Sequence, residues 1–93
     1  MNLDLIKKVI VVTGGSKGIG AGIVEVLSQE GALPVIVGRD RKQINQVISA
    51  YSKKGVQVGH AFAELTDPFQ CEQAVKKIIE DFGTIHGLVN NAG

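Results

Sequence analysis

Four short apolar runs punctuate the chain, and between them lie stretches whose apolar positions recur at helical spacing. Val9-Ile10-Val11-Val12 is a continuous β-branched run, the pattern of a strand covered on both faces. From Gly18, the residues Ile19, Ile23, Val26 and Leu27 fall at helical intervals, and Gly31 supplies the stop. Pro34 opens a second strand over Val35-Ile36-Val37, at the first position, where a proline forfeits no ladder bond of consequence. A second helix is predicted over about Arg41 to Lys54, with Ile44, Val47, Ile48 and Tyr51 on one side and Gly55 at its end. Val56, Val58, His60 and Phe62 then alternate with Gln57, Gly59 and Ala61 as a third strand. Asp67 is a natural N-cap for a third helix carrying Phe69, Ala74, Val75, Ile78, Ile79 and Phe82 up to Gly83. Ile85 to Val89 reads as a fourth strand, ending in Asn90-Asn91-Ala92-Gly93.

The alternation β-α-β-α-β-α-β with right-handed crossovers gives an α/β fold, a Rossmann-like doubly wound parallel sheet. In such a sheet the fourth strand lies beside the first, so the expected strand order is 3-2-1-4. The first two helices are expected on one face and the third alone on the other, near strands one and four. That leaves apolar strand side chains exposed, and the outer edge of the fourth strand bare.

Length and composition narrow the picture. Ninety-three residues make one small domain or a piece of a larger one. With 44% apolar and 20% charged residues the chain suits a globule. A net charge of +1 argues against nucleic acid or any polyanion held by bulk charge, while leaving room for one local phosphate site. The opening MNLDLIKK has no cleavable-leader pattern and no stretch is apolar enough for a membrane span, so a cytoplasmic protein without membrane contact is expected. Cys71 is the sole cysteine and reads as a helix residue; no Cys or His cluster has metal-ligand spacing. His60 and His86 read as structural polar residues in strands.

The stretch Thr13-Gly14-Gly15-Ser16-Lys17-Gly18-Ile19-Gly20 carries the candidate chemistry. A strand that turns at once into a helix presents the helix's free N–H groups at the strand's end, where they favour an anion. Gly14 allows the tight exit, Gly18 lets a diphosphate approach the backbone, and Gly20 permits close packing of helix on strand. The spacing G-x-x-x-G-x-G matches neither G-x-G-x-x-G nor a phosphate loop ending in Gly-Lys-Ser/Thr. Thr13 reads as a strand-end residue bonded to backbone.

Together with Asn90-Asn91-Ala92-Gly93, this turn resembles the N-terminal half of the short-chain dehydrogenase/reductase family, from about Leu5 to Gly93. The resemblance implies a dinucleotide pyrophosphate on Gly14, Ser16, Lys17, Gly18, Ile19 and Gly20. It also implies that Asn91, Ala92 and Gly93 steady the sheet and line the adenosine side. Gly38 stands where NAD-preferring relatives carry an acid. Lys17 and Arg39 match the two basic positions of NADP-preferring relatives, with Ser16 able to donate to the 2'-phosphate, so NADP(H) is expected over NAD(H). Asp40 could turn to a ribose or pair with Arg39. Glu64 stands where relatives have an aspartate reaching the adenine amino group, and the backbone of Leu65 would contact the ring.

The family's catalytic tyrosine, lysine, serine and asparagine would all lie downstream, so no catalytic residue is assigned. Tyr51, the sole tyrosine, has Gly55 where the family's Tyr-x-x-x-Lys requires lysine. The expectation is a fragment of an oxidoreductase moving a hydride between NADP(H) and an alcohol or carbonyl substrate, with a small-molecule substrate and a remaining C-terminal polypeptide or oligomer partner. The alternatives are a stand-alone nucleotide-binding or regulatory module without redox catalysis, and an interaction protein whose bare edge pairs with a partner.

Overall fold

The computed structural model describes residues 4–91. The elements are β1 (Val9–Thr13), α1 (Gly18–Gln29), β2 (Leu33–Gly38), α2 (Arg41–Lys53), β3 (Gly59–Phe62), α3 (Pro68–Phe82) and β4 (Gly87–Asn90). Every pairing is parallel and the sheet runs β3-β2-β1-β4, the order expected from the sequence. The strands' C-terminal ends, where ligands of such sheets bind, therefore share one edge of the molecule.

Alternation across the sheet divides the core in two. Val9, Val11, Val35, Val37 and Ala61 pack with Ala74 and Ile78 of α3. Ile10, Val12 and Ile36 pack with Val24 of α1 and Ile44 of α2 on the opposite face. This explains the unbroken apolar run of β1, all of whose residues are buried. Burying a side chain such as Ile36 or Val24 stabilises the fold by about 1.5–3 kcal/mol.

The structure corrects several details. Pro34 is the second residue of β2, not the first. Leu33 N–H already donates to the Lys8 carbonyl on the β1 side (2.8 Å). The nitrogen of Pro34 thus faces the β3 side, where pairing begins only at Val35, so no ladder bond is lost. The third strand begins at Gly59 rather than Val56, whose N–H is taken by the Tyr51 carbonyl at the end of α2 (3.0 Å). The fourth begins at Gly87, after Ile85 and His86. On α1 the core contact is made by Val24, while Ile19 and Val26 are exposed. On α3 the buried residues are Ala74 and Ile78, and Phe69, Val75 and Ile79 face outward.

The position of α3 also differs from expectation. It seats chiefly on the β3 side, where a Cβ at Gly59 would lie 2.6 Å from Cζ of Phe82, and its Ala74 and Ile78 share a core cluster with Val9 and Val11 of β1, but that cluster includes no residue of β4. Leu88 of β4 is consequently 65% exposed. Among the described residues, no helix is long and apolar enough to cross a membrane.

Candidate functional site

The glycine turn is held from three sides. Gly14 and Gly18 adopt φ of 68° and 61°, the left-handed region that side chains disfavour. Gly14 N–H donates to the Val37 carbonyl of β2 (3.1 Å). Gly20 is buried at the start of α1, where a Cβ would sit 2.2 Å from the Gly14 carbonyl oxygen and 2.9 Å from Nδ2 of Asn91. Thr13 Oγ1 accepts from the Asn91 N–H (3.0 Å) and lies 3.1 Å from Oδ1 of Asn90, tying the end of β1 to that of β4. Gly15, which the spacing argument passed over, is tight as well: its Cβ would meet Val24, Ile36 and Val12 within 3.1–3.3 Å. Gly15 serves the core beneath the turn, while Gly20 serves the turn itself.

The three helices begin differently. Asp40 caps α2 by accepting from Gln43 N–H (3.1 Å), and Asp67 caps α3 by accepting from Phe69 N–H (3.0 Å). The N-cap of α1 is Lys17, which makes no side-chain cap, and the first turn holds no acid. A Cβ at Gly18 would meet nothing within 4 Å. Among the described helices, α1 alone presents N–H groups and positive dipole end without a side chain over them, and it does so beside open space. This arrangement suits a phosphate bridge.

A cleft of ≈ 520 Å³ opens next to that turn, at the ends of β1, β2 and β3. Its walls include Gly14, Ser16 and Lys17 from the turn, Gly38 at the end of β2, Arg39 and Asp40 just after it, and Ala63, Glu64, Leu65 and Thr66 after β3. Ile44 of α2 contributes to the floor. Of the residues singled out from the sequence, Gly14, Ser16, Lys17, Arg39, Glu64 and Leu65 meet in this cleft. Gly18, Gly20 and Asn91 build the turn beside it, whereas Ile19 is 77% exposed. Ala92 and Gly93 lie outside the described residues. Thr66, Ala63 and Ile44 were not foreseen as lining; Ile44 was legible only as part of an apolar helix face.

Two cations and two carboxylates thus share the cleft wall. Asp40 caps α2, its Oδ1 accepting from Gln43 N–H, and makes no ion pair with Arg39 among the described residues. Arg39 instead donates from Nη1 to Oε2 of Glu64 (3.1 Å). That guanidinium holds the Glu64 carboxyl below the usual carboxylate range against the opposing effect of desolvation, and Thr66 assists. Glu64 is further fixed by its own N–H, which donates to Gln70 Oε1 (2.8 Å).

The remaining candidates lie elsewhere. His86 Nδ1 accepts from Val9 N–H (2.9 Å), satisfying the first residue of β1 just before β4 begins. The His60 ring lies against that of Phe62 in a tilted arrangement, with centroids 5.1 Å apart. Tyr51 Oη donates to Oε2 of Glu25 (2.5 Å), joining α2 to α1, and its ring packs in the core cluster away from the cleft. Desolvation first, then Glu25, pushes the Tyr51 hydroxyl up to about 12. No group of three metal-ligating side chains occurs among the described residues.

Similarity to known proteins follows this geometry. The model of the short chain dehydrogenase family matches residues 8–93. L-rhamnose 1-dehydrogenase (NADP(+)) of Thermoplasma acidophilum is 36% identical over 92 residues, covering 98% of this chain and 36% of that protein. The crystal structure of 2-keto-3-deoxy-D-gluconate dehydrogenase from Streptococcus agalactiae matches with a TM-score of 0.90 at 37% identity, over 99% of this chain and 35% of that one. L-sorbose reductase from Gluconobacter frateurii, complexed with NADPH and L-sorbose, matches with a TM-score of 0.88 at 34% identity, over 98% of this chain and 36% of that one. The chain spans about 36% of the length of these relatives.

Proposed function

This chain belongs to the short chain dehydrogenase family, and from that premise we propose that it forms the dinucleotide-binding half-site of an oxidoreductase moving a hydride between NADP(H) and an alcohol or carbonyl substrate. The observation that carries the reading is the uncapped start of α1, held open beside the cleft by a turn in which Gly20 touches Gly14. The nicotinamide would supply or accept the hydride. The backbone N–H groups after Lys17 would bind the pyrophosphate, and the ends of β2 and β3 would receive the adenosine. Leu65 offers an apolar wall and Ile44 an apolar floor for the adenine ring.

The choice of NADP(H) rests on Lys17 and Arg39, which line one cleft with Gly38, the last residue of β2, just before Arg39. No acid stands at Gly38 to bond a free ribose or repel a 2'-phosphate. Two cations converging on one phosphate contribute more than either alone on a solvated surface. One similar protein is named as an NADP(+) enzyme and another is complexed with NADPH. The groups that move the substrate's proton would come from sequence beyond residue 93, since the hydroxyl of Tyr51 is engaged by Glu25 outside the cleft. The substrate's identity would be set there too.

Parallel titrations of NADP(H) and NAD(H) by calorimetry test the reading. NADP(H) should bind more tightly, and R39A or K17A should each weaken it by about tenfold, near 1.4 kcal/mol, with a much smaller effect on NAD(H). Tighter NAD(H) binding, or an unchanged preference in R39A, would contradict it.

A further inference from the structure

The Arg39–Glu64 pair spans the mouth of the cleft from the end of β2 to the end of β3, twenty-five residues apart in sequence. Its two members are held very differently. The Glu64 side chain is 35% exposed, its carboxylate also receives the Thr66 hydroxyl (3.3 Å), and its backbone is pinned by Gln70. The Arg39 side chain is 79% exposed, and Glu64 is its only ion-pair partner among the described residues. Arg39 is therefore the movable half, and Glu64 the fixed one. Lys17, across the cleft, makes no ion pair among the described residues.

A 2'-phosphate arriving between Lys17 and Arg39 would meet this existing bond. It must draw Arg39 away from Glu64, or bind with a carboxylate close by; either way the acid opposes it. A cofactor with a free 2'-hydroxyl brings no added charge and leaves the pair undisturbed. The remaining acid of the cleft, Asp40, accepts from Gln43 N–H and forms no ion pair with Arg39 among the described residues.

We propose that Glu64 is a specificity-determining residue that competes with the 2'-phosphate for Arg39, holding the preference for NADP(H) below what Lys17 and Arg39 alone would give. The role rests on the dinucleotide reading above, but differs from an adenine contact, which would act on NADP(H) and NAD(H) alike. It also gives the pair a graded effect: an exposed ion pair is weak, so Glu64 tempers the preference and does not abolish it.

Calorimetric titration of NADP(H) and NAD(H) into the wild-type protein, E64Q, R39A and the double variant tests this. E64Q keeps the shape and the hydrogen-bonding capacity toward Thr66, and circular dichroism with E64A as a second variant checks that the fold is retained. The expected result is that E64Q tightens NADP(H) by roughly threefold to tenfold and changes NAD(H) by less than about twofold. In the R39A background the gain from E64Q should largely vanish. Equal changes for both cofactors in E64Q, or none for either, would overturn the competition while leaving the half-site intact. Failure of the wild-type protein to bind either cofactor would instead remove the half-site, and the competition with it.

Discussion

Gly20 is the residue on which the turn closes. With its Cα close to the Gly14 carbonyl, any side chain would drive the start of α1 off the end of β1. Gly22, two residues on, is a glycine with no such demand: a Cβ there meets nothing within 4 Å. The pair gives a sharp contrast within one helix. G20A should lose about 2 kcal/mol or more of stability through forced backbone displacement, together with cofactor affinity. G22A should gain about 0.5–1 kcal/mol by removing unfolded-state freedom and raising helix propensity. Denaturant unfolding of the two variants checks both. The spacing of the motif was enough to assign Gly14 the tight exit from β1 and Gly20 the close packing of α1 on that turn. Gly15 was missed because its neighbours Val24 and Ile36 arrive from other elements, and no local pattern announces them. The Arg39–Glu64 bond was hidden for the same reason: the basic position was legible, its fixed acidic partner was not.

At the scale of elements, α1 is intrinsically poor, with Gly18, Gly20 and Gly22 in its first five residues and no side-chain cap. It stands because Val24 is fully buried and because Tyr51 of α2 reaches Glu25 across the helix pair. Burial of the Tyr51 hydroxyl, with that bond second, makes stability pH-dependent in a definite direction. The Tyr51 hydroxyl ionises near 12 in the folded chain against 10.0 unperturbed, so between those values unfolding releases a proton and rising pH favours it. The contribution is whole below pH 10 and disappears as pH climbs toward 12. Urea midpoints across pH 9–12 should fall for the wild-type protein more steeply than for Y51F, the chain having no other tyrosine. Identical slopes would show that the hydroxyl is neither buried nor bonded to Glu25 in solution. All seven elements were legible from periodicity, since strand and helix periods alternate cleanly. Their faces were less so. Ile19 and Val26 belong to the apolar set of α1, yet the sheet beneath them is reached by Val24, Ile23 and Leu27 instead.

For the whole molecule, strand order followed from alternation and crossover rules, and the cleft from the rule that places ligands at the strands' C-terminal ends. The full seat of α3 did not, because it involves a tertiary fit that no local pattern announces, Phe82 against the bare backbone of Gly59. That fit leaves Leu88 of β4 and the flank of α3 at Val75 and Ile79 open to solvent on one face. It also leaves the cleft bordered by the ends of β1, β2 and β3, where the proposed adenosine site draws on residues between 14 and 66. The most direct measurement is an amide chemical-shift titration with NADP(H). The account predicts the largest shifts at the backbone N–H groups of residues 14–20, followed by 38–40 and 63–66. A saturable titration that leaves residues 14–20 unmoved would contradict it.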